Sequence, residues 1–189
     1  SKDPVLLGQM PNYLAGSGTN IAYTSVNVPI QVQMAYLLTL EPRLKAIGVL
    51  YGLDDPSASQ AQVTPLKAAA APLHIKVVDI TVRGVPTARR DLLSALPRAI
   101  AALKQDDPSL RDSVLWVTGS TAIVNEMHTV NQLSGRLPVL SVFPELVHGG
   151  EDSAVLAIGV SFRAASQLAA LYGIEILQGK ARPGSLKVG

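Results

Sequence analysis

Apolar residues in this chain follow two rhythms. Five short runs are apolar almost without a break: 46–51 (Ala46, Ile47, Gly48, Val49, Leu50, Tyr51), 74–82, 113–117, 137–143 and 154–160. The second of them is rich in β-branched residues, with Ile75, Val77, Val78, Ile80 and Val82. Near-continuous apolar runs mark parallel strands that are buried on both faces. Between and around them lie five segments of helical spacing, 28–40, 57–71, 87–105, 120–133 and 162–177. The first places Ile30, Met34, Leu37 and Leu38 on a stripe; the third does so with Leu92, Leu93, Leu96, Ile100 and Leu103. Pro29 suits a first helical turn, and Ser57 or Ser59 suits the cap of the second helix. Pro65 is expected to kink or shorten that helix, and Pro97 to interrupt the third. Gly179 ends the last. Residues 19–26 are a candidate leading strand, 5–7 a weaker one, and Asn12 with Gly16, Ser17 and Gly18 marks a loop.

Strand–helix alternation of this kind predicts an α/β fold: a doubly wound, mostly parallel sheet with helices on both faces, Rossmann-like or flavodoxin-like. In such sheets a ligand binds beyond the carboxyl ends of the strands. That rule selects the loops after the five strands and, within them, Tyr51, Asp54, Ser57, Ser59, Thr118, Ser120, Thr121, Phe143 and Ser161 as candidate ligand-binding residues. Hydroxyls at a helix start, where backbone N–H groups are open, favour a carboxylate or phosphate. The competing role of those hydroxyls is to cap their own helices. Phe143 suits an apolar or aromatic ligand and equally suits the core.

Composition narrows the chemistry. The chain has 189 residues, of which 48% are hydrophobic and 16% charged, so it is no disordered chain. It has no cysteine, which excludes disulfides, thiolate metal sites and a cysteine nucleophile. Net charge is +2, only 4% of residues are aromatic, and the longest Lys/Arg run is the pair Arg89–Arg90. No nucleic-acid groove is expected from that pattern. No apolar stretch approaches the roughly 18–20 residues of a membrane span. His74, His128 and His148 lack metal-ligand spacing, and no cofactor is expected. Thr118-Gly119-Ser120-Thr121-Ala122 resembles a nucleophile elbow but lacks the second glycine of G-x-S-x-G. Its partners would be His148 with Glu151 or Asp152, a weak basis for an α/β hydrolase around Ser120.

Several segments, taken in order, resemble one family. Lys45 to Tyr51 followed by a turn and Ser57 is similar to the "IGVLYNP…NS" segment of ABC-transporter substrate-binding proteins, in the branch of tryptophan/tyrosine-type binding proteins. Gly18-Thr19-Asn20-Ile21-Ala22-Tyr23 resembles the family's "GGNVTG", and Leu137-Pro138-Val139-Leu140 its "IPVF". Ala157 to Phe162, with the helix through Leu177 to Lys180, resembles "TYGIDYYELG…ILKGE". The resemblance implies a type I periplasmic binding fold, mainly its second lobe. Residues 1–18 would be a hinge segment from the first lobe, 19–161 the α/β ligand-binding lobe, and 162–189 a helix and tail returning toward the first lobe. An excised lobe and a naturally short protein both fit.

The same resemblance implies a non-enzymatic solute-binding component of an ABC uptake transporter. It would be periplasmic or tethered outside the membrane, with a small amino-acid-like or aromatic solute and an ABC permease as partners. The family's motifs are altered at the site. The Asp–Asn pair of "PTDNTV" is Ser120-Thr121, "SDEG" is Val142-Phe143-Pro144-Glu145, and the carboxylate of "GID" is Ser161. These losses favour, as an alternative, a ligand-sensing or protein-interaction domain that keeps the fold without transport. An apolar face left uncovered would favour a homodimer of the isolated lobe.

Overall fold

The computed structural model describes residues 3–189; Ser1 and Lys2, at the head of the expected hinge segment, lie outside them. The chain divides into two compact units. The larger is Pro29–Gly159, and the smaller joins the N-terminal residues up to Val28 with Val160–Gly189.

The larger unit is built on five strands: β1 (Ala46–Gly52), β2 (Lys76–Val82), β3 (Ser113–Val117), β4 (Val139–Ser141) and β5 (Leu156–Ala157). All neighbours are parallel, in the order β2-β1-β3-β4-β5. Its helices are α1 (Ile30–Leu40), α2 (Pro56–Ala58), α3 (Thr64–Ala70), α4 (Ala88–Leu103), α5 (Thr121–Val124) and α6 (Met127–Ser134). This is the doubly wound α/β sheet that the alternating pattern predicts. β1 and β3 are buried at every position, which is why their sequences run apolar without alternation.

One face of the sheet carries the main core. Leu50 of β1, Ile80 and Val82 of β2, Leu115 and Val117 of β3 pack with Leu92, Leu96 and Leu103 of α4 and with Ile123 and Val130 of α5 and α6. The other face carries Ile47, Val49, Tyr51 and Trp116, the alternate residues of the same strands. Asp79, also on that alternate row, is bonded by Lys67 of α3 at 2.7 Å, which puts α3 there.

Local differences from the expected pattern have identifiable causes. The second helix is capped by Asp55, not by Ser57 or Ser59: its carboxylate accepts from Ala58 N–H and from the Ser57 hydroxyl. Pro65 neither ends nor shortens that helix. A π-turn over Ser59–Val63 comes just before it and takes up the ring's conflict with the preceding carbonyls. Pro97 lies inside an unbroken α4. The carbonyl it leaves unbonded is that of Leu93, a residue 55% exposed, so water can satisfy it. The expected helix over 120–133 is two, because Asn125 and Glu126 break it. The stretch over 19–26 is not part of a sheet, and 5–7 forms a turn.

In the smaller unit α7 spans Phe162–Leu177, followed by Gly179 at positive φ. Its apolar residues Phe162, Leu171, Ile174 and Leu177 are exposed, and none of its residues is buried. Asp3 organises the N-terminal turn, accepting from Val5 N–H, Leu6 N–H and the Tyr13 hydroxyl. Burial and that bond to Asp3 push the Tyr13 phenol well above its ordinary range.

Candidate functional site

A strand order of 2-1-3-4-5 reverses direction between β1 and β3, and the crevice at such a switch point is where doubly wound sheets take ligands. Here the two loops are stitched together. Thr118 donates its hydroxyl to Leu50 O at 2.8 Å, and Ser120 Oγ accepts from Gly52 N–H at 3.0 Å. Thr118 and Ser120 are both buried. The Thr118 hydroxyl thus adds to the Thr118 N–H bond that Leu50 O already accepts at 3.2 Å, and Ser120 Oγ gives Gly52 N–H a side-chain acceptor where β1 and β3 diverge.

Above that floor lies a cleft of about 180 Å³ lined by Asp54, Asp55, Val85, Ser120, Thr121 and Ala122. Asp54 leans over the ends of β1 and β2: a side chain on Gly84 would meet its carboxylate at 2.6 Å, and one on Gly52 at 2.7 Å. Glycine at both positions makes the room. Among the described residues no hydrogen bond or ion pair engages the Asp54 carboxylate or the Thr121 hydroxyl, and both residues are exposed. No Lys or Arg lines the cleft, so its polar groups are two carboxylates and two hydroxyls. Among the described residues no group of three His, Asp or Glu is placed to hold a metal ion.

Five of the nine sequence candidates, Asp54, Thr118, Ser120, Thr121 and (through its hydroxyl bond to Asp55) Ser57, thus gather at the switch point. Ser59 starts the π-turn. Tyr51 points to the opposite face of the sheet; burial, with Asp79 adding and Lys67 opposing, raises its phenol above the ordinary value. Phe143 is buried, and its ring edge would lie 3.1 Å from a side-chain carbon on Gly119. Ser161 belongs to the smaller unit, where its hydroxyl caps α7 by accepting from Ala164 N–H at 3.1 Å.

Sequence reasoning passed over Asp55 as a cap, Val85, and Gln62. Gln62 is buried, and its Oε1 accepts from Gly119 N–H at 2.9 Å, holding the loop between β3 and α5 in place. Its signal was available: it is a lone polar residue on the buried side of an otherwise apolar helix, with Ala58, Ala61, Val63 and Leu66.

No protein-family profile matches the chain. A tyrosine-binding protein of Clostridioides difficile is 27% identical over 180 residues, which are 94% of this chain and 47% of that protein. In sequence the chain is thus similar to a tyrosine-binding protein. Solved structures agree on the fold. The L-Trp complex of an ABC domain from Streptococcus pneumonia matches all of this chain and 58% of its own, at 21% identity and a TM-score of 0.70. A conserved domain protein from Vibrio cholerae matches 99% of this chain and 57% of its own, at 23% identity and a TM-score of 0.70. The ligand-free, open form of a Clostridium difficile substrate-binding protein with adhesive properties matches at 21% identity and a TM-score of 0.66. The chain spans about half the length of the relatives it matches. The named relatives are binding proteins, in agreement with a noncatalytic reading.

Proposed function

We propose that this chain is the solute-receiving lobe of an extracytoplasmic substrate-binding protein that serves an ABC permease, and that it takes an amino-acid-like solute on the β1/β3 crevice. The observation that carries the reading is the pair of polar groups left open there. The Asp54 carboxylate and the Thr121 hydroxyl have no partner among the described residues, while Ser120 and Thr118 are committed to holding the crevice together. A carboxylate in a cleft without Lys or Arg suits an ammonium group. It replaces in kind the family carboxylates that this sequence lacks at 120 and 161. The relatives' names, a tyrosine-binding protein and an L-Trp complex, point to aromatic amino acids as the first solutes to try.

The test is isothermal titration of the purified chain with L-tyrosine and L-tryptophan, alongside Asp54→Asn and Thr121→Ala. Binding that weakens at least tenfold in Asp54→Asn supports the reading. Binding of either amino acid that is indifferent to both substitutions places the solute elsewhere. A chain that binds neither, with the crevice intact by its melting profile, favours the sensing or interaction role.

A further inference from the structure

β2 ends the sheet, so one of its sides meets no other strand. Lys76 N–H donates to Lys45 O, and Val82 O accepts from Leu53 N–H. With a strand period of two, Lys76, Val78, Ile80 and Val82 turn their backbone groups toward β1, and Val77, Asp79 and Thr81 turn theirs outward. Arg83 is next in the outward row, and its N–H is taken by Asp91 Oδ2 at 3.0 Å, which closes the row at that end.

Two grooves, of about 390 and about 370 Å³, run beside this edge and share Thr81, Ala95 and Arg98. Besides its arginines, α4 lines them with Ser94, Ala95, Ala99 and Ala102, all too short to cover the edge. One end is strongly basic. Arg83 is chelated by Asp91, with contacts of 2.6 and 3.2 Å. Arg98 is fixed on its own helix by Ser94, through its carbonyl at 2.9 Å and its hydroxyl. Arg90 is 71% exposed and comes no nearer than 4.0 Å to Asp91. Asp91 also accepts from the Thr87 hydroxyl at 2.8 Å, so its oxygens are fully engaged. Three arginines against one aspartate give this end a charge of +2, equal to the net charge of the whole chain. Farther along, the charges are already matched: Lys67 with Asp79 and Lys76 with Asp106.

We propose that the β2 edge docks an extended acidic segment of a partner protein as an added sixth strand. Its backbone pairs with Asp79 and Thr81, and its carboxylates reach Arg90 and Arg98. Charge complementarity sets the partner's chemistry, and the outward backbone sets its conformation. A second copy of this chain fits poorly, because antiparallel pairing about the middle of the strand sets Asp79 beside Asp79. The proposal is independent of the solute site.

The test is fluorescence anisotropy with a labelled seven-residue peptide of alternating Thr and Glu. Its controls are the Thr–Lys counterpart and two versions N-methylated on alternate amides, one for each register. The Thr–Glu peptide is expected to bind, to lose at least tenfold in affinity to Arg90→Glu or Arg98→Glu, and to lose binding when one register is methylated. The Thr–Lys peptide should not bind. Absence of Thr–Glu binding to the folded wild-type chain overturns the proposal. So does equal binding of both methylated peptides, since displacement by inorganic phosphate would then mark a simple anion site.

Discussion

Ser120 and Thr121 are adjacent hydroxyls that the structure separates sharply, and the difference has a measurable size. Ser120 is 1% exposed, and its Oγ is the acceptor for Gly52 N–H. Ser120→Ala leaves that amide buried without a protein acceptor, a loss of about 1–3 kcal/mol. For a chain of this length about 3 °C of melting temperature goes with each kcal/mol, so the midpoint should fall by roughly 3–9 °C. Thr121 is exposed, and its hydroxyl has no partner among the described residues, so Thr121→Ala should stay within about 0.5 kcal/mol of wild type. Differential scanning calorimetry of the two variants without solute reads both numbers. Two results would refute this assignment: Ser120→Ala melting with wild type, or Thr121→Ala proving the less stable of the two. Either result would mean that the β1/β3 crevice is not held by the Ser120–Gly52 bond.

Two further outcomes follow from the sheet and its lower end. Gly48 sits mid-β1, where an added methyl would meet Leu115 Cδ2 at 2.7 Å and Ile80 Cδ1 at 3.0 Å. Crowding of that kind costs about 1–3 kcal/mol, only partly offset by the ~0.4–1 kcal/mol that alanine gains by restricting the unfolded chain. Gly48→Ala should therefore lower the urea midpoint, and an unchanged or raised midpoint would refute it. Burial alone would raise the Asp107 carboxyl, but bonds from the Ser113 hydroxyl, Asp112 N–H and the Ser109 hydroxyl outweigh it and hold it below its usual range. A folded value below the unfolded one gives stability that is complete above the unfolded pKa, about 3.9, and is lost as pH falls through the folded value. Asp107→Asn should be less stable at pH 7 and show a shallower loss of melting temperature below pH 4. Parallel acid limbs in the two proteins would contradict this.

The strands were legible because their burial is two-sided. Ile47 to Leu50 and Val114 to Val117 have no solvent face, so the apolar run and the strand coincide. Where pairing is short the run overshoots it. Residues 137–143 contain only the three residues of β4, bounded by Pro138 and by the turn at Pro144, and 154–160 only the two of β5. The prolines misled because their effect depends on where the freed carbonyl points. In α4 the freed carbonyl belongs to an exposed residue, and before α3 a π-turn absorbs the ring.

The crevice was legible as a place and not as a set of partners. A hydroxyl at a helix start is expected to cap that helix, yet Ser120, at the start of α5, makes no side-chain cap and instead takes an amide 68 residues away on β1. Capping is a local preference. The choice between Gly52 and the helix's own amides is made by the parallel register of β1 with β3, which no window of sequence contains. The same holds for Gln62, whose partner Gly119 is 57 residues distant. Asp55 behaves in the opposite way: its partners, Ser57 and Ala58, lie within three residues, and local rules suffice to find it. Residues that bind across the switch point are thus the ones a sequence conceals. Asp54 stands open because the chain beside it, at Gly52 and Gly84, carries no side chain to fill its place.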